Sequence, residues 1–362
     1  MKKALFILND LSLTGASLTA LHVIKNLPKD IETSALILCS ENNELLLRES
    51  EYKEVLSSLK IMNLPHTYGK KFKMHLSYYL AKIKREIRKE YEENPFDFVY
   101  LNQANISGFI AKYVRKKFKA KVVFNSLGKP AIQTSNFYVK YLFNKSLKLT
   151  CKHSDYFVSI SEQCFPKKYV ITGSKVLLED YCDLKVKNDE KIFSKKGTIN
   201  IGQIGYFSNN KNQIYTLKLL VKLIEQNVDV NVKFLGFATN EEYNYELDSY
   251  ISLHDLKEKV TFYSREYDKN SFFDSIDLLV IPSLSEGYPL VIKESISQKT
   301  PVLGSFAIPA ESEKLGVKRL ALDDFDEWIS FIKSELYKVQ LSDDILMKEK
   351  ETYKNIINDI FN

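Results

Sequence analysis

Short apolar runs, rich in β-branched and aromatic residues, alternate along this chain with longer segments of helical spacing. In the first half the runs are "ALFILN", "TSALILC", "FDFVYLN", "KVVFNSL" and "DYFVSIS", and the helical segments include "ASLTALHVIKNL" and "ISGFIAKYVRKKFK". Strands that are separated by helices pair in parallel, and both faces of such a sheet are covered. The order therefore predicts a parallel sheet wound in both directions.

A second alternation follows a polar, charged segment, "KVKNDEKIFSKKG", at 185–197. Its apolar runs are "TINIGQIG", "VNVKFLG", "KVTFYS", "DLLVIPS" and "PVLGS", with helices predicted to begin near Asn212 and Glu241. The fold class is thus α/β, with two doubly wound, Rossmann-like domains that face a cleft. We expect domains at 1–190 and 191–340, and a terminal helix at 341–362 that packs back toward the first domain.

Composition indicates a soluble globular protein, with 44% hydrophobic and 27% charged residues among 362. The start, "MKKALFILND", resembles a signal peptide, but its apolar run is short and predicts a buried strand. Scattered cysteines suit free thiols in a reducing cytoplasm, and we expect a cytoplasmic protein. The four cysteines are Cys39, Cys151, Cys164 and Cys182.

Positive charge is concentrated in the N-terminal half. Between Leu101 and Thr150 the chain has ten Lys and Arg residues and no Asp or Glu. Such a surface attracts anions, including phospholipid headgroups, or consists of solvated lysines. The segment "KMHLSYYLAKIKREIRKEY" is either a packed surface helix or an interfacial helix on an anionic membrane. No nucleic-acid-binding motif accompanies these basic residues.

Two glutamates flank an apolar segment in "SLSEGYPLVIKES", Ser283–Ser295. Pro289 suits the first position of a helix, and the N–H groups of Leu290 to Ile292 then point out of a helix end that favours phosphate. Glu286 lies on the preceding loop, and Glu294 lies in the second turn, where an acid can bind a vicinal diol. The alternative is a pair of surface acids near a helix N-terminus.

The longer stretch "IDLLVIPSLSEGYPLVIKESISQKTPVLGS" resembles the E-G-x-x-x-x-x-x-E segment of glycosyltransferase family 4, whose members have the GT-B fold. Upstream, "IGQIGYFSNNKNQIYTLKLL" is similar to the family's G-R-L-x-x-x-K segment. The resemblance is specific from about Asn200 to Gly316. It is weaker in the N-terminal half, where "LTGASLTALHVIKNL" is similar to the glycine loop and first helix.

The resemblance implies roles for four residues. Glu286 would contact the transferred sugar, Glu294 the ribose hydroxyls and Lys211 the leaving diphosphate, and Gly15 would let the first loop approach the phosphates. It also implies donor contacts for Ala16, Gly205, Tyr206, Arg265, Gly287, Tyr288, Leu290 and Val291. Family members retain the anomeric configuration and need neither a metal nor a cofactor, and the donor is a nucleotide diphosphate sugar, with UDP favoured.

Three positions depart from the family pattern. Tyr206 stands where the family has an arginine, Leu127 lies where many members have a histidine, and Lys299 replaces a glycine. Loss of one cation should slow transfer without abolishing it, because leaving-group stabilisation is mostly electrostatic. The D-x-D motif in "DDFD", Asp323–Asp326, precedes an amphipathic run and predicts helix capping rather than a metal site.

The implied function is transfer of a sugar, with retention, to a glycan or lipid-linked acceptor in cell-surface polysaccharide synthesis. The enzyme would be a hexosyltransferase that is peripheral on the inner membrane face and contacts anionic lipid through its basic half. The alternative is a catalytically inactive GT-B-like subunit that stabilises or targets a partner transferase. The sequence leaves open the sugar, the base, the acceptor, the linkage and the oligomeric state.

Overall fold

A computed structural model describes residues 1–12, 15–39, 46, 48–65, 75–102, 104–128, 136–179, 187, 197–238, 240–264, 266–336, 339 and 343–362. The chain divides into two compact units. Unit 1 is Met1–Asp180 together with Glu351–Asn362, and unit 2 is Tyr181–Lys350. The segment 185–197, which the sequence indicated as a linker, lies outside the described residues except for Lys187 and Gly197.

Unit 1 contains a seven-stranded sheet in which every described pair of strands is parallel. Its strands, in spatial order, are β3 (Ser58–Leu64), β2 (Ile31–Cys39), β1 (Lys2–Leu8), β4 (Phe98–Leu101), β5 (Lys121–Ser126), β6 (Tyr156–Ser159) and β7 (Ser174–Leu177). The chain proceeds outward from β1 in one direction and then from β4 in the other, which makes the sheet doubly wound.

Helices of unit 1 cover this sheet. They are α1 (Gly15–Lys25), α2 (Glu49–Lys53), α3 (Leu76–Glu93), α4 (Ala104–Lys117) and α5 (Phe137–His153). The apolar side of α3, including Tyr79, Leu80 and Ile83, is buried in a core with Val99 and Phe124. The packed surface helix is therefore confirmed for this segment. The apolar face that the interfacial alternative would place in a membrane packs in the core instead.

Unit 2 repeats the arrangement with six parallel strands. In spatial order they are β10 (Val260–Tyr263), β9 (Val230–Leu235), β8 (Ile199–Ile204), β11 (Leu278–Ile281), β12 (Val302–Ser305) and β13 (Lys318–Leu320). The helices are α6 (Gln213–Glu225), α7 (Glu241–Leu253), α8 (Lys269–Asp274), α9 (Leu290–Ser297), α10 (Phe325–Ser330) and α11 (Asp343–Phe361), whose residues from 351 onward belong to unit 1. Two doubly wound sheets confirm the predicted fold class.

Several local predictions are resolved by the described residues. The Asp324 carboxylate accepts a hydrogen bond from the Glu327 N–H at 3.0 Å, so the capping interpretation of "DDFD" is confirmed. Pro289 is the N-cap of α9, which begins at Leu290, so its predicted place at the first helical position is off by one residue. None of the described helices is both long and apolar enough to span a bilayer.

Candidate active site in unit 2

The strand order of unit 2 changes direction between β8 and β11. Ligands of doubly wound sheets bind beyond the carboxyl ends of the strands at this switch point. The segment 205–212 follows β8, and the segment 282–289 follows β11 and leads into α9. The topology therefore places the two segments that carry Lys211 and Glu286 side by side at the expected edge of the sheet.

Hydrogen bonds tie these two segments together. The Asn210 side-chain amide donates to the Ser285 carbonyl at 2.9 Å, and the Leu284 N–H donates to the Asn210 carbonyl at 2.8 Å. The Asn212 amide donates to the Pro282 carbonyl at 3.1 Å. Asn212 has φ of 58°, a left-handed conformation that asparagine tolerates better than most residues. Both segments are thus held in one arrangement before any ligand arrives.

Lys211 and Glu286 form an ion pair, with 2.6 Å between Lys211 Nζ and Glu286 Oε1. The side chains are 24% and 10% exposed, so the pair is partly shielded yet within reach of a ligand. The backbone of Lys211 is held as well. The Gln203 side-chain amide donates to the Lys211 carbonyl at 2.7 Å, and the Gln203 side-chain oxygen accepts from the Thr216 hydroxyl at 2.7 Å. The backbone of Lys211 is therefore fixed, while its long side chain can change partner.

Gly205 is favoured by its backbone conformation beside this lysine. It has φ of +144°, a conformation that L side chains rarely adopt, and a Cβ at this position would lie 3.4 Å from Lys211 Cε. Tyr206 follows, and its ring packs edge-on against Phe237 with 4.8 Å between centroids. The residue that replaces the family's arginine thus lies in an aromatic contact, and it supplies no positive charge.

Helix α9 contributes its N-terminus and Glu294. The Ile292 N–H donates to the Pro289 carbonyl at 3.0 Å, which corrects the expectation that this donor faces a ligand. The N–H groups of Leu290 and Val291 occupy the first turn, where a helix offers no internal acceptor. Gly287 and the buried Tyr288 connect this end to Glu286.

Glu294 is not a surface acid, which the sequence left open as an alternative. It is 8% exposed, and its carboxylate pairs with Lys269 Nζ at 2.7 Å. Lys269 opens α8, behind an Asp268 N-cap that accepts from the Ser271 N–H at 2.7 Å. Lys269 was not among the residues predicted from the sequence, although it directly follows a capping aspartate after a strand and a loop, at the same edge of the sheet. Arg265 lies outside the described residues.

The remaining predicted residues lie in unit 1 or on its edge. Gly15 and Ala16 form the start of α1. A Cβ on Gly15 would meet no atom of the described residues within 4 Å, so packing against them does not require glycine there. Leu127, half-buried, follows β5 directly. Asn102 and Asn125 were not predicted as site residues, yet both are buried side chains at the carboxyl edge of this sheet.

Lys299 shows why a glycine is typical at its position. Its φ is 58°, in the left-handed region, and it follows the last turn of α9. The Thr300 N–H then donates to the Ser295 carbonyl at 2.9 Å, which closes the helix end. Lysine in place of glycine therefore introduces local backbone strain of about 1 kcal/mol. It does not alter Lys211, Glu286 or Glu294.

Residues 185–320 match the family model of "Glycosyl transferases group 1". Protein CapJ of Staphylococcus aureus is 23% identical over 227 residues, which cover 58% of this chain and 55% of CapJ. An uncharacterised glycosyltransferase of Methanocaldococcus jannaschii is 24% identical over 300 residues, 80% of this chain and 75% of that protein. The chain thus spans about half of the length of CapJ. The segment with the specific family resemblance, about Asn200 to Gly316, thus lies within the residues that match a glycosyltransferase family model.

A further relative and a solved structure are also similar to this chain. The Escherichia coli UDP-Gal:alpha-D-GlcNAc-diphosphoundecaprenol alpha-1,3-galactosyltransferase is 28% identical over 168 residues, 44% of this chain and 42% of that enzyme. HepE of Anabaena, solved with UDP and glucose, superposes with a TM-score of 0.75 at 14% identity, covering 99% of this chain and 98% of HepE. This likeness confirms the GT-B fold.

Proposed function

We propose that the protein is a retaining glycosyltransferase that moves a sugar from a nucleotide diphosphate sugar to a glycan or lipid-linked acceptor in cell-surface polysaccharide synthesis. The observation that carries the proposal is the Lys211–Glu286 ion pair, 2.6 Å long, at the switch point of the unit 2 sheet. It places a mobile cation and a carboxylate together at the edge where such sheets bind nucleotides.

On the donor side, each group meets the part of the nucleotide sugar that suits its charge. Lys211 exchanges Glu286 for the diphosphate, and the N–H groups of Leu290 and Val291 add the positive end of α9. Glu294 exchanges Lys269 for the ribose hydroxyls. The released Glu286 then accepts hydrogen bonds from hydroxyls of the sugar to be transferred. No resident cofactor or metal is needed for these contacts.

In the transfer step, the bond between the anomeric carbon and the diphosphate oxygen breaks, and that oxygen keeps the electron pair. A bond forms from the acceptor oxygen to the same face of the anomeric carbon, and the proton of the acceptor hydroxyl passes to the leaving diphosphate oxygen. Negative charge thus grows on the diphosphate as the bond breaks, and Lys211 stabilises it best at that moment. With Tyr206 in place of an arginine, Lys211 carries more of this stabilisation.

UDP is the favoured nucleotide, and a lipid-linked sugar is the favoured acceptor. HepE was solved with UDP, and the E. coli relative is named for a UDP-galactose donor and a diphosphoundecaprenol-linked acceptor. A lipid-linked acceptor requires that the enzyme work at a membrane surface. The cluster of Lys and Arg residues between Leu101 and Thr150 supports a cytoplasmic protein that is peripheral on anionic lipid.

A donor panel tests the proposal. The purified protein is heated with UDP-, GDP-, ADP- and dTDP-sugars in turn, and hydrolysis of each is then measured without an acceptor. We expect one nucleotide class, UDP, to raise the melting temperature and to be hydrolysed slowly, because binding to the folded state alone stabilises it. If no nucleotide sugar protects the protein or is hydrolysed, the inactive-subunit alternative takes the place of this proposal.

A further inference from the structure

Helix α5 of unit 1 exposes aromatic side chains at its start. Phe137, Tyr138 and Tyr141 are 83%, 58% and 50% exposed. Three of the thirteen exposed large apolar side chains among the described residues thus fall within five consecutive positions. Scattered exposed apolar residues are ordinary on a protein surface, but a cluster of this kind marks a site of contact.

Lysines continue the same face of α5. Lys145, Lys148 and Lys152 are exposed, and they follow Tyr138 and Tyr141 at spacings of three and four residues. Such spacing places all five side chains in one stripe along the helix. Lys145 Nζ also lies 5.6 Å from the centroid of the Tyr141 ring. We call Phe137, Tyr138, Tyr141, Lys145, Lys148 and Lys152 the α5 stripe.

No negative charge interrupts this region of the chain. Between Asp97 and Asp155 the sequence contains no Asp or Glu. Helix α5 is amphipathic, because its opposite side buries Phe143, Leu147 and Cys151 in the unit 1 core. The stripe therefore faces solvent with an aromatic end and a cationic stem. This combination suits the headgroup region of an anionic bilayer, where aromatic rings enter the interface and lysines neutralise phosphates.

The aromatic end of the stripe lies apart from the basic residues at the end of α4. Helix α5 starts after β5 ends and finishes directly before β6, so its aromatic end lies toward the carboxyl edge of the sheet. Arg115, Lys116 and Lys117 close α4 just before β5 begins, and Arg115 pairs with Asp155 at 3.1 Å. These residues therefore lie toward the amino edge, about 20 Å from the aromatic end along a helix of this length. They are close to Lys152 at the other end of the stripe, because Arg115 and Lys152 line one pocket.

We propose that the α5 stripe is the surface through which the protein contacts an anionic lipid bilayer, with Phe137, Tyr138 and Tyr141 in the interface and the three lysines on lipid phosphates. The choice of a membrane as the partner rests on the proposed function, since a lipid-linked acceptor is found in a membrane. The binding itself needs no donor, acceptor or transfer, so it succeeds or fails independently of the enzymatic activity.

Sedimentation with vesicles tests the proposal on the full chain. The parent protein is mixed with vesicles of phosphatidylcholine alone or with added phosphatidylglycerol, at low and at physiological salt. We compare an aromatic variant (Phe137→Ser, Tyr138→Ser, Tyr141→Ser), a lysine variant (Lys145→Gln, Lys148→Gln, Lys152→Gln) and an α4 control (Arg115→Gln, Lys116→Gln, Lys117→Gln). Tyr245→Ser, at a 75% exposed tyrosine of unit 2, controls for loss of an exposed ring elsewhere.

We expect the parent to bind the anionic vesicles, and more weakly as salt rises, because exposed charges are screened. The lysine variant should lose about 10²-fold in partitioning, since each lysine near an anionic surface contributes a factor of about five. The aromatic variant should lose about tenfold or more. The α4 control should lose less than the lysine variant, and Tyr245→Ser should bind as the parent does. Circular dichroism and melting curves should be unchanged, because all substituted side chains are exposed.

Four results would overturn the proposal. The first is a parent that does not bind anionic vesicles, and the second is a stripe variant that binds as well as the parent. In the third, the α4 control loses more binding than the lysine variant. In the fourth, the stripe variants bind vesicles as the parent does but lose dimerisation or binding of single-stranded nucleic acid. A second copy of the chain or a nucleic acid is then the partner of the stripe.

Discussion

At the residue scale, the Lys211–Glu286 pair has to open before a donor can bind. Its 2.6 Å contact neutralises both charges in the protein as it stands. An incoming diphosphate offers Lys211 two or more negative oxygens in place of one carboxylate, so the exchange is favourable for the lysine. Glu286 then loses its contact with the ammonium group, and hydroxyl groups of a sugar can donate hydrogen bonds to its carboxylate. The pair thereby links binding of the diphosphate to binding of a sugar.

Glu294 is expected to act on the nucleotide. Glu294→Ala removes the acceptors of the ribose hydroxyls, and a hydrogen bond to a charged group contributes about 1.5–3 kcal/mol. Affinity for the free nucleoside diphosphate should therefore fall about 10- to 10²-fold in isothermal calorimetry. The melting temperature should stay near that of the parent, since the former partner, Lys269, is 44% exposed and remains solvated.

Lys269→Ala is the matched control for this variant. It breaks the same ion pair but leaves the Glu294 carboxylate in place, so nucleotide affinity should stay within a few-fold of the parent value. If Lys269→Ala weakens binding as much as Glu294→Ala does, Glu294 acts by holding α8, and its assignment to the ribose is wrong.

The sequence indicated the places of both glutamates because a strand, a loop and a helix follow one another locally in "DLLVIPSLSEGYPLVIKES". It did not indicate their partners. Lys211 is 75 positions from Glu286, and Lys269 is 25 from Glu294. Such contacts depend on which strands become neighbours, and hydrophobic periodicity carries no information about that. The burial of Glu294 was missed for the same reason, since it depends on how α8 and α9 pack.

At the element scale, α9 is anchored on its buried side by a second ion pair. Lys293, next to Glu294, is 0% exposed, and its Nζ lies 2.7 Å from Glu349 Oε2 of α11 and 5.0 Å from the centroid of the Tyr288 ring. The other Glu349 oxygen lies 3.1 Å from Lys314 Nζ. The buried Lys293 thus connects α9, which carries Glu294, to the first turns of α11.

Removing Glu349 should destabilise the protein strongly. Glu349→Ala takes the carboxylate away from a fully buried ammonium group, and breaking a buried pair in this way costs about 3–5 kcal/mol. The melting temperature of unit 2 should fall by about 6–20 °C, since 1 kcal/mol corresponds to about 2–4 °C in a domain of this size. Thermal unfolding by calorimetry measures the change.

Two further variants make the assignment specific. Lys314→Ala removes a 40% exposed partner of the same carboxylate and should lower the melting temperature only slightly. Lys293→Met combined with Glu349→Leu replaces the buried charges by apolar groups and should recover most of the lost stability. If Glu349→Ala melts like Lys314→Ala, the Lys293–Glu349 contact does not anchor α9.

At the scale of the whole molecule, both units wind in the same way, and the sequence predicted the central strands of each. The three strands it missed are all sheet edges, namely β3, β7 and β13. An edge strand has one neighbour and is partly exposed, so β3 carries alternating exposed positions and β13 is only Lys318–Leu320. No continuous apolar run marks such strands, whereas central strands buried on both faces show one. Helix α5 was also not predicted, although Phe143, Leu147 and Cys151 recur at helical spacing.

The central claim is that Lys211 and Glu286 form the transferring site, and steady-state kinetics of two variants test it most directly. Lys211→Ala should lower kcat by about 10²–10³ and change KM much less, because its charge acts mainly as the sugar–phosphate bond breaks. Glu286→Gln should impair transfer while leaving nucleotide affinity near the parent value. Lys218→Ala, at an exposed lysine of α6, should transfer sugar at the parental rate. If Lys211→Ala and Glu286→Gln also transfer at that rate, the ion pair is not part of an active site, and the account is contradicted.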